Sequence, residues 1–312
     1  MGALAALVLS AGCTHMPWNP YRGWRAWKTN NVTVYADTVT APSLTLEQME
    51  DAYVILEGTF FRGIDVPPVE VIEVRPADDS PFEDASNHKK QDVALPHLAV
   101  AGGRRWVVLA SGDSDRWQQT HLLAHHFIEA AVPGAPMWFH EGLALYFMGF
   151  TPSQSRPGVI CFGLRRPGRF PGVSEPIDAL FATSWSDFNG AATSHMPFTA
   201  WGLIDYLLHG RDRTLVPDFR LLMSARAAKQ AGRDALTAAY PADVVANIEP
   251  DMRGHVRRVE EPNLCPLPLP IAAPRRPRMG PSVSPVPEAT MQALFEAMNA
   301  LPSRHGYADY FP

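Results

Sequence analysis

Two histidines four residues apart, His121 and His125, are the pair in this 312-residue chain whose type and spacing can do chemistry. They lie in a run of helical periodicity from Arg116 to Ala131, so both imidazoles project from one face. Two histidines so placed can hold one zinc ion, with a third protein ligand supplied from elsewhere in the fold. The pair does not decide the matter alone, because among 11 histidines such a spacing arises by chance almost as often as not. Two buried helix histidines without a metal are the competing reading. Glu129 shares the face of His125 but lies two turns beyond His121, roughly 12 Å along the axis. It either orients a ligand imidazole from behind or faces solvent. His126 and His140 flank the ligand positions and point off the ligand face by about 100° each.

The next segment changes the weight of that pair. Across Pro133-Gly134 runs a second helical stretch, Met137-Trp138-Phe139-His140-Glu141-Gly142-Leu143-Ala144-Leu145-Tyr146. Trp138, Glu141, Gly142, Ala144 and Tyr146, with Pro136 before them and His126-Phe127 upstream, resemble the two-helix core of the peptidase-MA-like gluzincin metallopeptidases. The resemblance implies a zincin-like fold over about Val32 to Leu208, with zinc held by His121, His125 and Glu141. Gly142 would let the helices approach closely enough for Glu141 to reach the metal. The family places a glutamate after the first histidine, where this chain has Leu122. That glutamate accepts a proton from the attacking water and passes it to the leaving amine. Leucine can do neither, and such acid–base help is worth about 10²–10⁴ in rate. The resemblance therefore implies surviving ligands without a base, a metal-binding pseudopeptidase. Two alternatives stand beside it: an active zinc peptidase with another base, and a metal-free structural domain. His195, ahead of the next helical pattern, can enter the cleft as an electrophilic helper or sit on a surface loop.

These residues need elements to position them, and the patterns give an α+β chain. Val32–Ala36 alternates like a half-buried strand, Val69–Val74 is a second, and Leu98–Ala101 with Arg105–Ala110 reads as a hairpin around Gly102-Gly103. Leu46, Met49, Tyr53, Leu56 and Phe60 mark a helix between the first two strands. The result is a small N-terminal mixed sheet, a two-helix metal-binding core capped at Ser114 or Asp115, and a helical part from about residue 177. The helical patterns there are Ile177–Phe181, Phe198–Leu208, Asp218–Ala231 and Pro241–Arg257, with a short strand at Val159–Gly163 and a polar loop at Asp78–Asp92 before them. The organisation reads as a tether over 14–31, a main domain over 32–258, a proline-rich linker over 259–287 and a C-terminal helix and tail over 288–312. The apolar stripe Met291, Leu294, Phe295, Met298 and Leu301 can serve a partner or dock on its own core.

Composition, with 46% hydrophobic residues and a net charge of −5, supports a sizeable core and gives no basic footprint for nucleic acid. Residues 1–13 form a short apolar run ending Ser10-Ala11-Gly12-Cys13. It resembles a bacterial lipoprotein signal, which implies lipidation of Cys13 and an anchor on the periplasmic side of a membrane, by expectation the outer one. An ordinary buried helix is the alternative. Cys161 and Cys265 are then an even pair, either bridged in an oxidising compartment or two free thiols. Trp18, Trp24 and Trp27 either meet the membrane or pin the tether to the domain. The expected partners are the membrane, through the lipid, and a peptide or protein.

Overall fold

The structure is a computed structural model that describes residues 24–36, 42–58, 60–74, 97–101, 104–110, 116–148, 151–152, 159–161, 173, 175–183, 188, 195–211, 214–215, 219, 222–223, 232–259, 269–270, 282–287 and 289–293. The fold is α+β, a six-stranded mixed sheet packed against helices. Its strands are Arg25–Lys28 (β1), Val32–Ala36 (β2), Val69–Val74 (β3), His97–Ala101 (β4), Arg104–Ala110 (β5) and Ser282–Pro285. The two-residue Thr151–Pro152 (β6), Val159–Cys161 (β7) and Leu269–Pro270 (β8) form a separate three-stranded sheet, which makes Ser282–Pro285 β9. The large sheet has the order β4-β5-β3-β2-β1-β9. Strands β2, β3 and β5 run parallel, and the remaining pairs are antiparallel. Parallel neighbours need a crossover, and helix Ser43–Gly58 (α1) provides it between β2 and β3.

Period-two alternation sorts the sheet's side chains to two faces. Val32, Val34, Val69, Val71, Val107 and Leu109 face the main core beneath the helices. Tyr35, Ile72, Trp106 and Val108 face the other way, together with Trp24, Ala26 and Met291. Residues 289–293 are helical, and their Met291 is buried on this outer face, so the described start of the C-terminal stripe docks on its own sheet. Trp24 and Trp27 are likewise buried, one on each face. Trp18 and the rest of the stripe lie outside the described residues.

Glu50 locks this lead-in to the domain. Its carboxylate is buried, accepting from the Thr29 hydroxyl at 2.7 Å, from Asn31 Nδ2 at 2.8 Å and from the Asn31 main chain at 3.2 Å. The β1–β2 turn is thereby bonded to α1, and a buried carboxylate has the donors it needs.

Four elements differ from the sequence reading. Strand β1 lies within the stretch expected as tether, and β8 and β9 within the expected linker. Every side chain of β9 is exposed, so no alternation marks it, and as an edge strand it tolerates Pro285. Helix Arg233–Ala239 was not expected either, since seven residues hold too few turns to show a period. The Asp78–Asp92 loop, the caps at Ser114 and Asp115, and most of Asp218–Ala231 fall outside the described residues. No described helix is long and apolar enough to cross a membrane.

Candidate metal centre

Helices Arg116–Ala131 (α2) and Met137–Met148 (α3) carry the site. Their connection turns at Gly134, with φ of 75°, a left-handed conformation that glycine reaches without a Cβ penalty. The carbonyl of Pro136 then accepts from the amides of Phe139 and His140, starting α3 at the proline that the sequence marks. Helices Ile177–Ala182 (α4) and Met196–His209 (α5) follow, and α3 packs between α2 and α5. A Cβ on Gly142 would lie 2.5 Å from the main-chain oxygen of Ala200. The expected role of Gly142 is therefore corrected: its missing side chain admits α5, not the ligand helix α2.

The two imidazoles and the carboxylate converge. Nε2 of His121 and Nε2 of His125 are 2.7 Å apart, with ring planes inclined at 69°. Glu141 reaches across from α3, its Oε2 3.7 Å from His121 Nε2 and its Oε1 3.5 Å from His125 Nε2. All three residues are 1% exposed. Their ligand atoms lie within 4.8 Å of one another, and no other trio of His, Cys, Asp or Glu does so among the described residues. Burial holds the pKa of His121 well below its ordinary value, so its imidazole is neutral and offers a lone pair.

The donor set fits a metal ion. A tetrahedral centre with bonds of about 2.0–2.2 Å separates its ligand atoms by about 3.3–3.6 Å. One carboxylate oxygen of Glu141 lies within that range of His125, at 3.5 Å, and the other lies just beyond it from His121, at 3.7 Å; both distances exceed hydrogen-bond length. The imidazole pair is closer, and would open by roughly 0.6–0.9 Å to share an ion. A buried carboxylate facing two buried imidazoles is also an arrangement that a cation stabilises. His121, His125 and Glu141 can thus hold a metal ion.

Around the trio stand residues of two kinds. Leu122 is buried at 1% exposure among hydrocarbon neighbours. Glu129 is partly exposed and pairs with Arg105 on β5 at 3.1 Å and with His140 Nε2 at 3.3 Å. It also accepts from the Gly134 main chain, and the bond from His140 is the main cause of its lowered pKa. His140, set aside in the sequence, stacks on His125 with ring centroids 5.7 Å apart and planes at 23°. His126 points elsewhere, to the carbonyl of Pro67 at 2.8 Å. His195 is the half-buried residue just before α5, its carbonyl accepting from the Thr199 amide. Cys161 lies in β7, while Cys13 and Cys265 fall outside the described residues, and the lipid and disulfide expectations with them.

No protein-family model matches the chain, and no curated protein matches its sequence.

A polar cluster went unread in the sequence. His255, on helix Ala242–Val259, lies 2.8 Å from Asp205 Oδ2, and Tyr146 Oη lies 2.9 Å from His209 Nε2, which is 3.8 Å from Asp205 Oδ1. It cross-links α3, α5 and the last long helix in the core. The i,i+4 pair Asp205 and His209 was the available signal, but a single such pair is common on solvated helix faces.

Proposed function

We propose that this chain is a metal-binding pseudopeptidase, a zincin-like domain of gluzincin type that holds zinc through His121, His125 and Glu141 and lacks the general base. The observation that carries the reading is the convergence of the three buried ligand atoms from two helices. The Trp138–Tyr146 pattern supports the family assignment, and two imidazoles with one carboxylate are a common zinc donor set. A bound zinc ion would supply Lewis-acid polarisation and an acidified water. Leu122 has no atom that can accept or deliver a proton beside it, so turnover is small while binding survives. Glu129, the nearest retained acid on α2, is occupied by Arg105 and His140. The domain would then act as a binding or scaffold module for a peptide or protein in the bacterial envelope, held at the periplasmic side of the outer membrane by a lipid on Cys13.

One observation favours a second reading, a structural domain without metal. At 2.7 Å the two imidazoles can share a single proton as a hydrogen bond. Elemental analysis of native protein purified without added zinc separates the readings. The pseudopeptidase retains close to one equivalent, lost in His121→Ala; less than about a tenth of an equivalent overturns it. Zinc-dependent cleavage of casein that His121→Ala abolishes would instead establish a live peptidase.

A further inference from the structure

The two ligand-bearing helices have no free face along the site. In α2 every residue from Gln119 to Ile128 is buried, and in α3 every residue from Met137 to Met148. A helix that admits a substrate to its ligands keeps one side open; a helix buried all round is an interior element. The main core, with the Tyr53 ring edge-on and the Phe61 ring tilted against Phe127 at centroid distances of 4.7 and 5.2 Å, closes the side of α2 away from the ligands. α5 presses on α3 so closely that Gly142 has no room for a Cβ beside Ala200. Leu122 puts hydrocarbon next to His121, where the family has a charged side chain needing water or substrate. Structural zinc sites fill their coordination shell, whereas catalytic ones keep a position open to substrate; His121, His125 and Glu141 supply three ligands, and their burial leaves a peptide no way to the fourth position.

We propose, on the strength of the metal-site reading, that the ion held by His121, His125 and Glu141 is a sealed structural cross-link between α2 and α3, and that Leu122 helps to seal it. The three side chains then hold the ion to fix the α2–α3 packing, and no peptide carbonyl reaches it. Binding or scaffolding by the protein takes place on its outer surface, away from the ion.

Cobalt(II), whose visible absorption reports its ligands, tests this in the full-length protein. The chain is loaded with one equivalent, titrated with acetohydroxamate, and separately stripped with EDTA. The sealed site leaves the cobalt spectrum unchanged by the hydroxamate. Its release waits on opening of the protein, so the rate changes less than about twofold over a roughly hundredfold range of EDTA. A hydroxamate-induced spectral change, or release proportional to EDTA, overturns the sealed site while leaving the metal reading intact. Failure to take up cobalt or zinc at all removes the metal reading, and the cross-link with it. Stripped protein should also melt at a lower temperature than loaded protein, and equal melting overturns the structural role.

Discussion

Leu122 lies beside His121 on α2 with 1% of its surface exposed, in the company of Leu123, Ala124 and Phe127. Replacing it by glutamate supplies the residue type that the proposed gluzincin reading would need for activity but sets a carboxylate in a hydrocarbon surround, where an uncompensated buried charge costs about 3–5 kcal/mol. The expected outcome for Leu122→Glu is a large loss of stability in urea unfolding and no gain of casein cleavage. A stable and active Leu122→Glu would show that the site opens to substrate. His121, His125 and Glu141 differ from Leu122 in how they were legible. The histidine spacing can be read from helical geometry alone, but its pairing with Glu141 depends on how the helices pack, and only the Trp138–Tyr146 pattern pointed to it. His140 could not be read at all, because its use depends on Glu129 and His125 meeting it across the α2–α3 turn.

At the scale of elements, the register of α3 against α2 decides whether Glu141 reaches the imidazoles. Glu129 sets that register by binding Arg105 on β5, the Gly134 main chain in the turn and His140 next to Glu141. Glu129→Ala is expected to weaken metal binding by loosening the α2–α3 turn, by less than the about 10–100-fold that follows loss of a group bonded directly to a metal ligand. Competition against a chromophoric chelator measures it; unchanged affinity would make the Glu129 cluster a surface ornament. From the other side, Gly142→Ala forces a Cβ against the Ala200 carbonyl, a backbone atom that cannot swing aside. The variant should lose about 1–3 kcal/mol in urea unfolding, and parental stability would contradict the close α3–α5 approach. Elements with long periodic patterns were legible, α2 and β3 to their terminal residues. Strands β1 and β9 were not, because a four-residue edge pair draws its stability from the neighbouring β2 and from the Glu50 clamp rather than from its own pattern.

For the molecule as a whole, burying histidines has a cost in acid. Burial lowers the pKa of His121, His126 and His140 below the ordinary 6.5. The folded, metal-free chain keeps these rings neutral where the unfolded chain would protonate them. The unfolded state therefore binds more protons below about pH 6.5, and stability falls as pH falls, by up to about 1.4 kcal/mol per unit for each ring until its folded pKa is reached. Glu129, whose lowered pKa acts below the ordinary 4.5, does not contribute in that window. Urea midpoints of metal-free protein should be level above neutrality and decline from pH 6.5 towards 5; a flat profile would contradict the neutral buried imidazoles.

The most direct test of the central claim is X-ray absorption at the zinc edge of the loaded, full-length protein. Two imidazole nitrogens and a carboxylate oxygen at about 2.0–2.2 Å are expected around the ion, with no such shell in His121→Ala, which does not retain it. A sulfur shell at about 2.3 Å, or oxygen scatterers alone, would place the ion elsewhere and contradict the claim.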